Sequence, residues 1–323
     1  MLRIQAFQDL ESCVQLWERF WAKRCVFDLW EVRSCFMRHY NRRNFFFVSE
    51  SPRGKHNFMP LSWIDEEEYF GQFPGETWKG KTWLEQNKII TADPKFLDAL
   101  MENLGGKILI RYIADTELFS FYDNMFSLDE VGYLFIPAQY GYSFDNYFKT
   151  FSKKTRKKLN HELKMLHERN VHYRYNYMPD IDWMFQKNLS VYEDDSYFYD
   201  RRFLRAFIDI IEFLKNNDLL ILSSVLIGER LAAVDVGALW NNHYTVLAGG
   251  VDREFQGIAK LINFHHLELA CKGKFDVVDF LCGDFNWKSR FHLTPRPLYK
   301  LSLPQLGDIA SHRVADDRIS IAA

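Results

Sequence analysis

Three aspartates sit where a carboxylate could do work. The segment Asp276–Val–Val–Asp–Phe–Leu–Cys–Gly–Asp284 reads as a strand that carries Asp279 and ends at Gly283–Asp284. Carboxylates at the end of a strand, beside a cleft, suit recognition of an amine or removal of its proton. Asp235 lies inside the apolar run Ala232–Ala–Val–Asp–Val–Gly–Ala238. A charge in such a strand needs a partner or a shifted pKa if it is buried. The plain alternatives are that Asp279 accepts backbone hydrogen bonds and that Asp235 faces solvent at an edge.

Two further segments could hold anions. Lys153–Lys–Thr–Arg–Lys–Lys158 follows Ser152, a natural N-cap. Cations in a first helical turn oppose the helix dipole, at a cost of roughly 0.3–1 kcal/mol each. Lys153 and Arg156 there make most sense beside a phosphate or carboxylate; a solvated helical face is the competing reading. The second segment is Val251–Asp–Arg–Glu–Phe–Gln–Gly–Ile–Ala–Lys260, which joins Ala248–Gly249–Gly250 to a helical stretch. Gly257 and Ala259 allow close backbone approach, so N–H groups at the helix start can face a pyrophosphate. A helix start packed tightly on a sheet would use the same residues.

Other chemistries are missing from the sequence. No G-x-S-x-G, Walker A or dinucleotide fingerprint occurs. His265–His266 have no second ligand set and read as structural, and no metal is expected. The cysteines, Cys13, Cys25, Cys35, Cys271 and Cys282, are odd in number and widely spaced, which fits reduced thiols better than a zinc cluster or disulfide frame.

The elements that must position these residues form an α+β pattern. Helical spacing runs over 9–23, 94–104, 143–170 with a break near 151–152, 181–192, 200–215 and 256–272. Strand-like runs cover 44–49, 56–63, 107–113, 131–137, 172–177, 219–227, 231–240, 243–251, 275–281 and 298–303. Gly228–Glu229–Arg230 and Asn241–Asn242 are hairpin turns, and Ser51–Pro–Arg–Gly54 is turn chemistry. The polar stretch after Pro304 is expected to be loosely held.

The 323 residues give a prior of about two domains. Hydrophobic residues are 47% and aromatic residues 17%, which excludes a disordered chain and a small disulfide scaffold. The net charge of −2 supplies no global attraction to nucleic acid or an anionic membrane, so DNA binding is not expected. The N-terminus has no signal-peptide core, and the apolar window 219–240 carries Glu229, Arg230 and Asp235. A cytoplasmic protein without a membrane span is expected, with peripheral contact at the inner membrane left open.

Taken together the motifs resemble the FemAB-like and BioF2-like acyltransferases of the GNAT superfamily, most strongly from Tyr142 to Lys300. The opening motif is Tyr147–Phe–Lys–Thr–Phe–Ser–Lys–Lys–Thr–Arg–Lys–Lys–Leu159; the last is Asp279–Phe–Leu–Cys–Gly–Asp–Phe–Asn–Trp287–Lys288. Between them lie the strand pair around Ile227–Ala233 and the strand, loop and helix from Tyr244 to Leu269. Glu254 stands where the family's loop has a basic or amide residue, and Trp287 where it has Tyr.

The resemblance implies an α/β (α+β) architecture of tandem GNAT-like domains, residues 1–141 and 142–323. Each would be a mixed, mainly antiparallel twisted sheet flanked by helices. It implies an N-acyltransferase using acyl-CoA, with acetyl-CoA as the simplest donor, and an amine of a small molecule, peptide or envelope precursor as acceptor. Leu247, Gly249 and Val251 would offer backbone groups to the acyl donor. Arg253, Gln256, Gly257, Ile258, Ala259 and Lys260 would cradle its pyrophosphate. Asp279, Asp284 or Asp235 would handle the amine proton. Lys153, Arg156, Tyr244, Trp287 and Lys288 would face substrate. A FemX-type transferase drawing on aminoacyl-tRNA, and a catalytically silent GNAT-like binding protein, are the other readings. The acceptor and the oligomeric state are not legible.

Overall fold

The computed structural model describes residues 3–50, 56–91, 93, 95–114, 125–283, 287–303 and 319–322. In the first half, Asp9 caps helix α1 (Leu10–Phe20) by accepting Ser12 N at 2.8 Å. Trp17 and Trp21 stack at 4.3 Å and pack with Phe46, Phe58 and Phe73 on one face of the sheet. Strand β1 (Ile4–Phe7) pairs with β2 (Asn44–Glu50), which forms a hairpin with β3 (His56–Ile64). The turn read at 51–54 lies outside the described residues. Strands β4 (Tyr69–Gln72) and β5 (Lys107–Ile113) run parallel, and α3 (Lys95–Asn103) packs Phe96, Leu97 and Leu100 on the other face. Helix α2 (Trp30–Tyr40) and strands β1 and β4 are elements that local periodicity did not reveal.

The second half follows the expected order closely. The break at 151–152 separates α4 (Phe144–Lys149) from α5 (Lys153–His167), with Ser143 and Ser152 as N-caps. Then come β7 (Val171–Tyr175), α6 (Asp180–Tyr192), α7 (Arg201–Asn216), β8 (Leu220–Ile227), β9 (Arg230–Trp240), β10 (His243–Val251) and α8 (Ile258–Gly273). In α7, Phe203, Phe207, Ile210, Ile211 and Leu214 repeat at helical spacing and are all buried. Each such side chain contributes roughly 1.5–3 kcal/mol of burial. Strand β11 is only Val277–Asp279. The run expected over 275–281 stops early because Asp279 Oδ1 accepts Leu281 N at 2.9 Å, which turns the chain.

Among the described residues the strands form one thirteen-stranded sheet, with β6 (Phe126–Phe135), β12 (Thr294–Leu303) and β13 (Ile319–Ala322) completing it. The order is β13-β1-β2-β3-β4-β5-β12-β6-β11-β10-β9-β8-β7, antiparallel except at β1/β13, β4/β5 and β10/β11. The late strand β12 thus lies between β5 and β6 of the first half. Its prolines, Pro295 and Pro297, face Tyr133 and Val131 of β6 in the part where β5 does not yet pair, so no ladder bond is lost on that side.

Helix α2 of the first half packs on α7 of the second. Phe36 and Phe203 are 5.4 Å apart, Arg38 Nη2 donates to Asp209 Oδ2 at 3.0 Å, and Tyr40 OH donates to Asp200 Oδ2 at 3.2 Å. Helices α4, α5 and α8 cover the opposite face with a second core. The cysteines are free thiols. No helix among the described residues is long and apolar enough to cross a membrane.

Candidate active site

Strand β10 provides the feature on which an acyl group could sit. It pairs with β11 only over His243–Thr245 and with β9 along its whole length. From Val246 onward its edge toward β11 therefore has no strand partner. A bulge between Val246 and Ala248 inserts Leu247. The extra residue leaves Val246 in the core beside α8 and turns both Leu247 and Ala248 into the core beside α6 and α7. The alternation then resumes with Gly249 opposite Asp235 and Val251 opposite Ala233. Asn188 Nδ2 on α6 donates to Gly249 O at 3.1 Å, and the backbone of Met184 approaches Gly250 too closely for a side chain there.

Beyond β10 the chain reaches the start of α8. Gly257 is the N-cap residue with φ of 90°, a conformation glycine adopts readily. Ile258 N bonds Phe255 O, while Gln256, Gly257 and Ala259 have N–H groups without a backbone acceptor among the described residues. Arg253, Gln256 and Ala259 are exposed, Ile258 is buried, and Lys260 is ion-paired to Glu162 of α5. Glu254, the departure from the family's loop, pairs with Arg230 at 2.7 Å, and Asp252 is held by Lys187 at 3.2 Å and Arg230 at 3.4 Å. The loop is thus tied to the β8–β9 turn and to α6.

Asp235, Tyr244 and a histidine read as structural prove to be one chain of contacts. His266 Nε2 lies 2.9 Å from Asp235 Oδ2, and His266 Nδ1 lies 2.9 Å from Tyr244 OH. His266 and Tyr244 are fully buried, and the Asp235 side chain is 10% exposed. Burial, reinforced by the Asp235 charge, pushes the Tyr244 phenol well above its ordinary range, so it stays a donor. Tyr244, which the resemblance implied would face substrate, therefore lies in the interior. Its ring lies over Gly237, where a Cβ would stand 2.4 Å from it.

Asp279 is enclosed. Its Oδ2 accepts from Gln86 Nε2 at 2.7 Å and Arg296 Nη2 at 3.0 Å, and its Oδ1 accepts from Leu281 N. Burial works against its ionisation, but Arg296 and His243 outweigh it and hold the carboxyl below its ordinary range. His243 Nε2, at 3.7 Å, is beyond hydrogen-bond reach and acts through space. Glu85 accepts Cys282 N at 2.6 Å, with Arg296 3.7 Å from its other oxygen. Burial and the Asp279 charge push Glu85 up to about 7. Lys288 is likewise interior at 2% exposure, donating to Leu281 O and Cys282 O; burial lowers its pKa. The expectation that Lys288 faces a substrate anion yields to this role of tying two carbonyls. Asp284 lies outside the described residues.

The basic residues stand apart from the helix α8 start. Ser152 Oγ accepts Thr155 N at 3.2 Å, and Lys153, Lys154 and Lys157 are exposed, Arg156 half-buried, with no ion pair among the described residues. Leu166, near the far end of α5, packs beside Gly257. The length of α5, about 20 Å at 1.5 Å per residue, therefore separates Lys153 from the loop at Gly257. Trp287 is half-buried, edge-on to Phe280 and Phe291. Glu85, Gln86 and Arg296 were not singled out from the sequence, and His266 was read only as structural; the signal for the first two was polar residues among apolar ones, as in Trp83–Leu–Glu–Gln–Asn–Lys–Ile–Ile90. No group of metal-ligating side chains occurs among the described residues.

Residues 153–289 match the acetyltransferase (GNAT) domain family model. None of the curated proteins matches the sequence. Solved structures share the fold over nearly the whole chain. A conserved protein of unknown function from Bacteroides thetaiotaomicron aligns with TM-score 0.58 at 12% identity, over 94% of this chain and 100% of that one. FemX aligns with 0.55 at 9%, over 86% and 92%. A tandem GNAT protein from the clavulanic acid biosynthesis pathway aligns with 0.53 at 10%, over 94% and 99%. The architecture is thus that of tandem GNAT-like proteins.

Proposed function

We propose that this chain, an acyltransferase by the GNAT domain it carries, moves an acyl group from acyl-CoA to a primary amine by direct attack. The observation that carries the reading is the bulge at Leu247 together with the loss of pairing between β10 and β11 after Thr245. Backbone N–H groups on such an edge are fixed in place before the reaction. They can receive the oxyanion that forms when an amine adds to a thioester carbonyl. The start of α8 at Gly257 lies one loop further on, where free N–H groups and the helix dipole favour the donor's pyrophosphate. Residues 1–141 would form the second lobe, and the amine would belong to a small molecule, a peptide or an envelope precursor.

The test is thermal unfolding with acetyl-CoA. A rise in Tm that Gly257→Asp removes supports the reading, since the new carboxylate would meet the pyrophosphate. No rise with acetyl-CoA or longer acyl-CoA esters would overturn it. The unpaired cations at the start of α5 favour a second donor, aminoacyl-tRNA. In that case binding to charged tRNA would weaken steeply with salt, and Lys153→Glu with Arg156→Glu would abolish it.

A further inference from the structure

The Asp235–His266–Tyr244 chain lies beneath the bulged strand, and among its members only the Asp235 carboxylate end keeps any exposure, 10% of its side chain. Asp235 stands opposite Gly249, two residues past Leu247, on the face of β9 that carries α8. Gly249 has no side chain to cover it: a Cβ there would lie 1.9 Å from Asp235 Oδ1. One oxygen thus lies against Gly249, within the stretch of β10 that has lost β11 on its far edge, and the other is held by His266.

The direction of the hydrogen bonds follows from the chemistry of the two ends. A carboxylate can only accept, so His266 Nε2 carries the proton toward Asp235. Nδ1 then accepts, and the Tyr244 phenol donates to it. The phenol is fully buried, and its donation fixes the imidazole in one neutral tautomer and one orientation. A buried polar chain is costly unless every member is satisfied, and this one is satisfied at each joint.

We propose that Asp235 is the base for the acyl-transfer step and that His266 and Tyr244 are positioning residues that aim it. The proposal rests on the acyl-CoA reading above. A neutral primary amine adds through its lone pair to the thioester carbon, forming the N–C bond and placing negative charge on oxygen. The proton of the now cationic nitrogen passes to Asp235. The C–S bond breaks as the carbonyl re-forms, and the thiolate leaves and takes the proton from Asp235. The products are an amide and the free thiol, with no net proton change.

The experiment uses the full chain, acetyl-CoA as donor, and lysine and glucosamine as amine probes, following thiol release. Asp235→Asn keeps the acceptor for His266 but removes the base. It should leave the acetyl-CoA-induced rise in Tm intact and KM for acetyl-CoA within about threefold, while kcat falls about 10²–10⁴-fold. Tyr244→Phe should lower kcat by about tenfold with KM unchanged, because the imidazole loses its fixed tautomer. In the wild-type protein, ring ¹⁵N shifts of His266 should report a single Nε2–H tautomer, which Tyr244→Phe removes. Wild-type kcat in Asp235→Asn, or an Nδ1–H tautomer in the wild-type protein, would overturn the relay while leaving donor binding in place. Absence of any response to acetyl-CoA in the wild-type chain overturns the donor reading itself, and the proposal with it.

Discussion

Arg296 Nη2 lies 3.0 Å from Asp279 Oδ2, and this contact ties β12 to β11 across the intervening strand β6. The guanidinium passes over Gly132 of β6, where a Cβ would sit 3.1 Å from Nη2. Since β12 also pairs with β5, the pair joins the two halves of the sheet from inside. Removing one partner of a buried pair strands the other, at a cost of about 3–5 kcal/mol. Arg296→Met is therefore expected to lower stability by that amount in urea unfolding. Asp279→Asn keeps the size of the side chain and an acceptor, and its loss should be smaller. A change below about 1 kcal/mol for Arg296→Met would show that Gln86 and Leu281 N alone satisfy the carboxylate.

Glu85 gives the protein a pH dependence of unusual sign. Its folded-state pKa, raised to about 7, exceeds the ordinary value near 4.5. Below pH 4.5 the carboxyl is protonated in both states and its contribution is fully present. As pH rises from about 4.5 to 7 the unfolded chain loses its proton first, so stability falls, by on the order of 3 kcal/mol, and levels off above 7. Asp279 acts in the opposite direction: its depressed pKa contributes stability above about 3.8 that is lost as the solution is acidified further. Glu85→Gln retains an acceptor for Cys282 N and removes the charge. Tm measured from pH 5 to 8 should decline less in this variant than in the wild type, with the variant the more stable of the two at pH 8. Parallel curves would remove Glu85 as the cause.

The difference between what local pattern revealed and what it hid has a physical basis. The order from α5 to β11 was legible because hairpin turns such as Asn241–Asn242 and caps such as Ser152 act within a few residues. Asp235 was legible as a charge in an apolar strand, since burial of a charge demands an explanation wherever it occurs. Its partner was not, because His266 lies 31 residues away and a histidine on an apolar helix face has no local mark of its role. The cluster at Asp279 was hidden for the same reason: Gln86 is 193 residues distant and comes from a segment without periodicity. Insertion of β12 between β5 and β6 is a topological choice that no local residue preference dictates.

Gly249 tests the packing beneath the bulge independently of catalysis. A Cβ at this position would overlap the Asp235 carboxylate at 1.9 Å from Oδ1, with Val234 O next at 3.5 Å. Asp235 cannot retreat, since Oδ2 is bonded to buried His266 and the strand backbone is paired on both sides. Gly249→Ala should therefore cost about 1–3 kcal/mol, the range for overpacking a filled interior. In an Asp235→Ala background the obstructing carboxylate is gone, and the same change should cost under about 0.5 kcal/mol. The gap between the two is the coupling energy of a double-mutant cycle. Gly105→Ala, where no atom lies within 4 Å of the added carbon, serves as the control and should be close to neutral. Urea unfolding with unchanged m-values measures all four variants. Equal costs of Gly249→Ala in both backgrounds would mean that β10 shifts to make room, so that the contact between Gly249 and Asp235 does not set the position of the carboxylate.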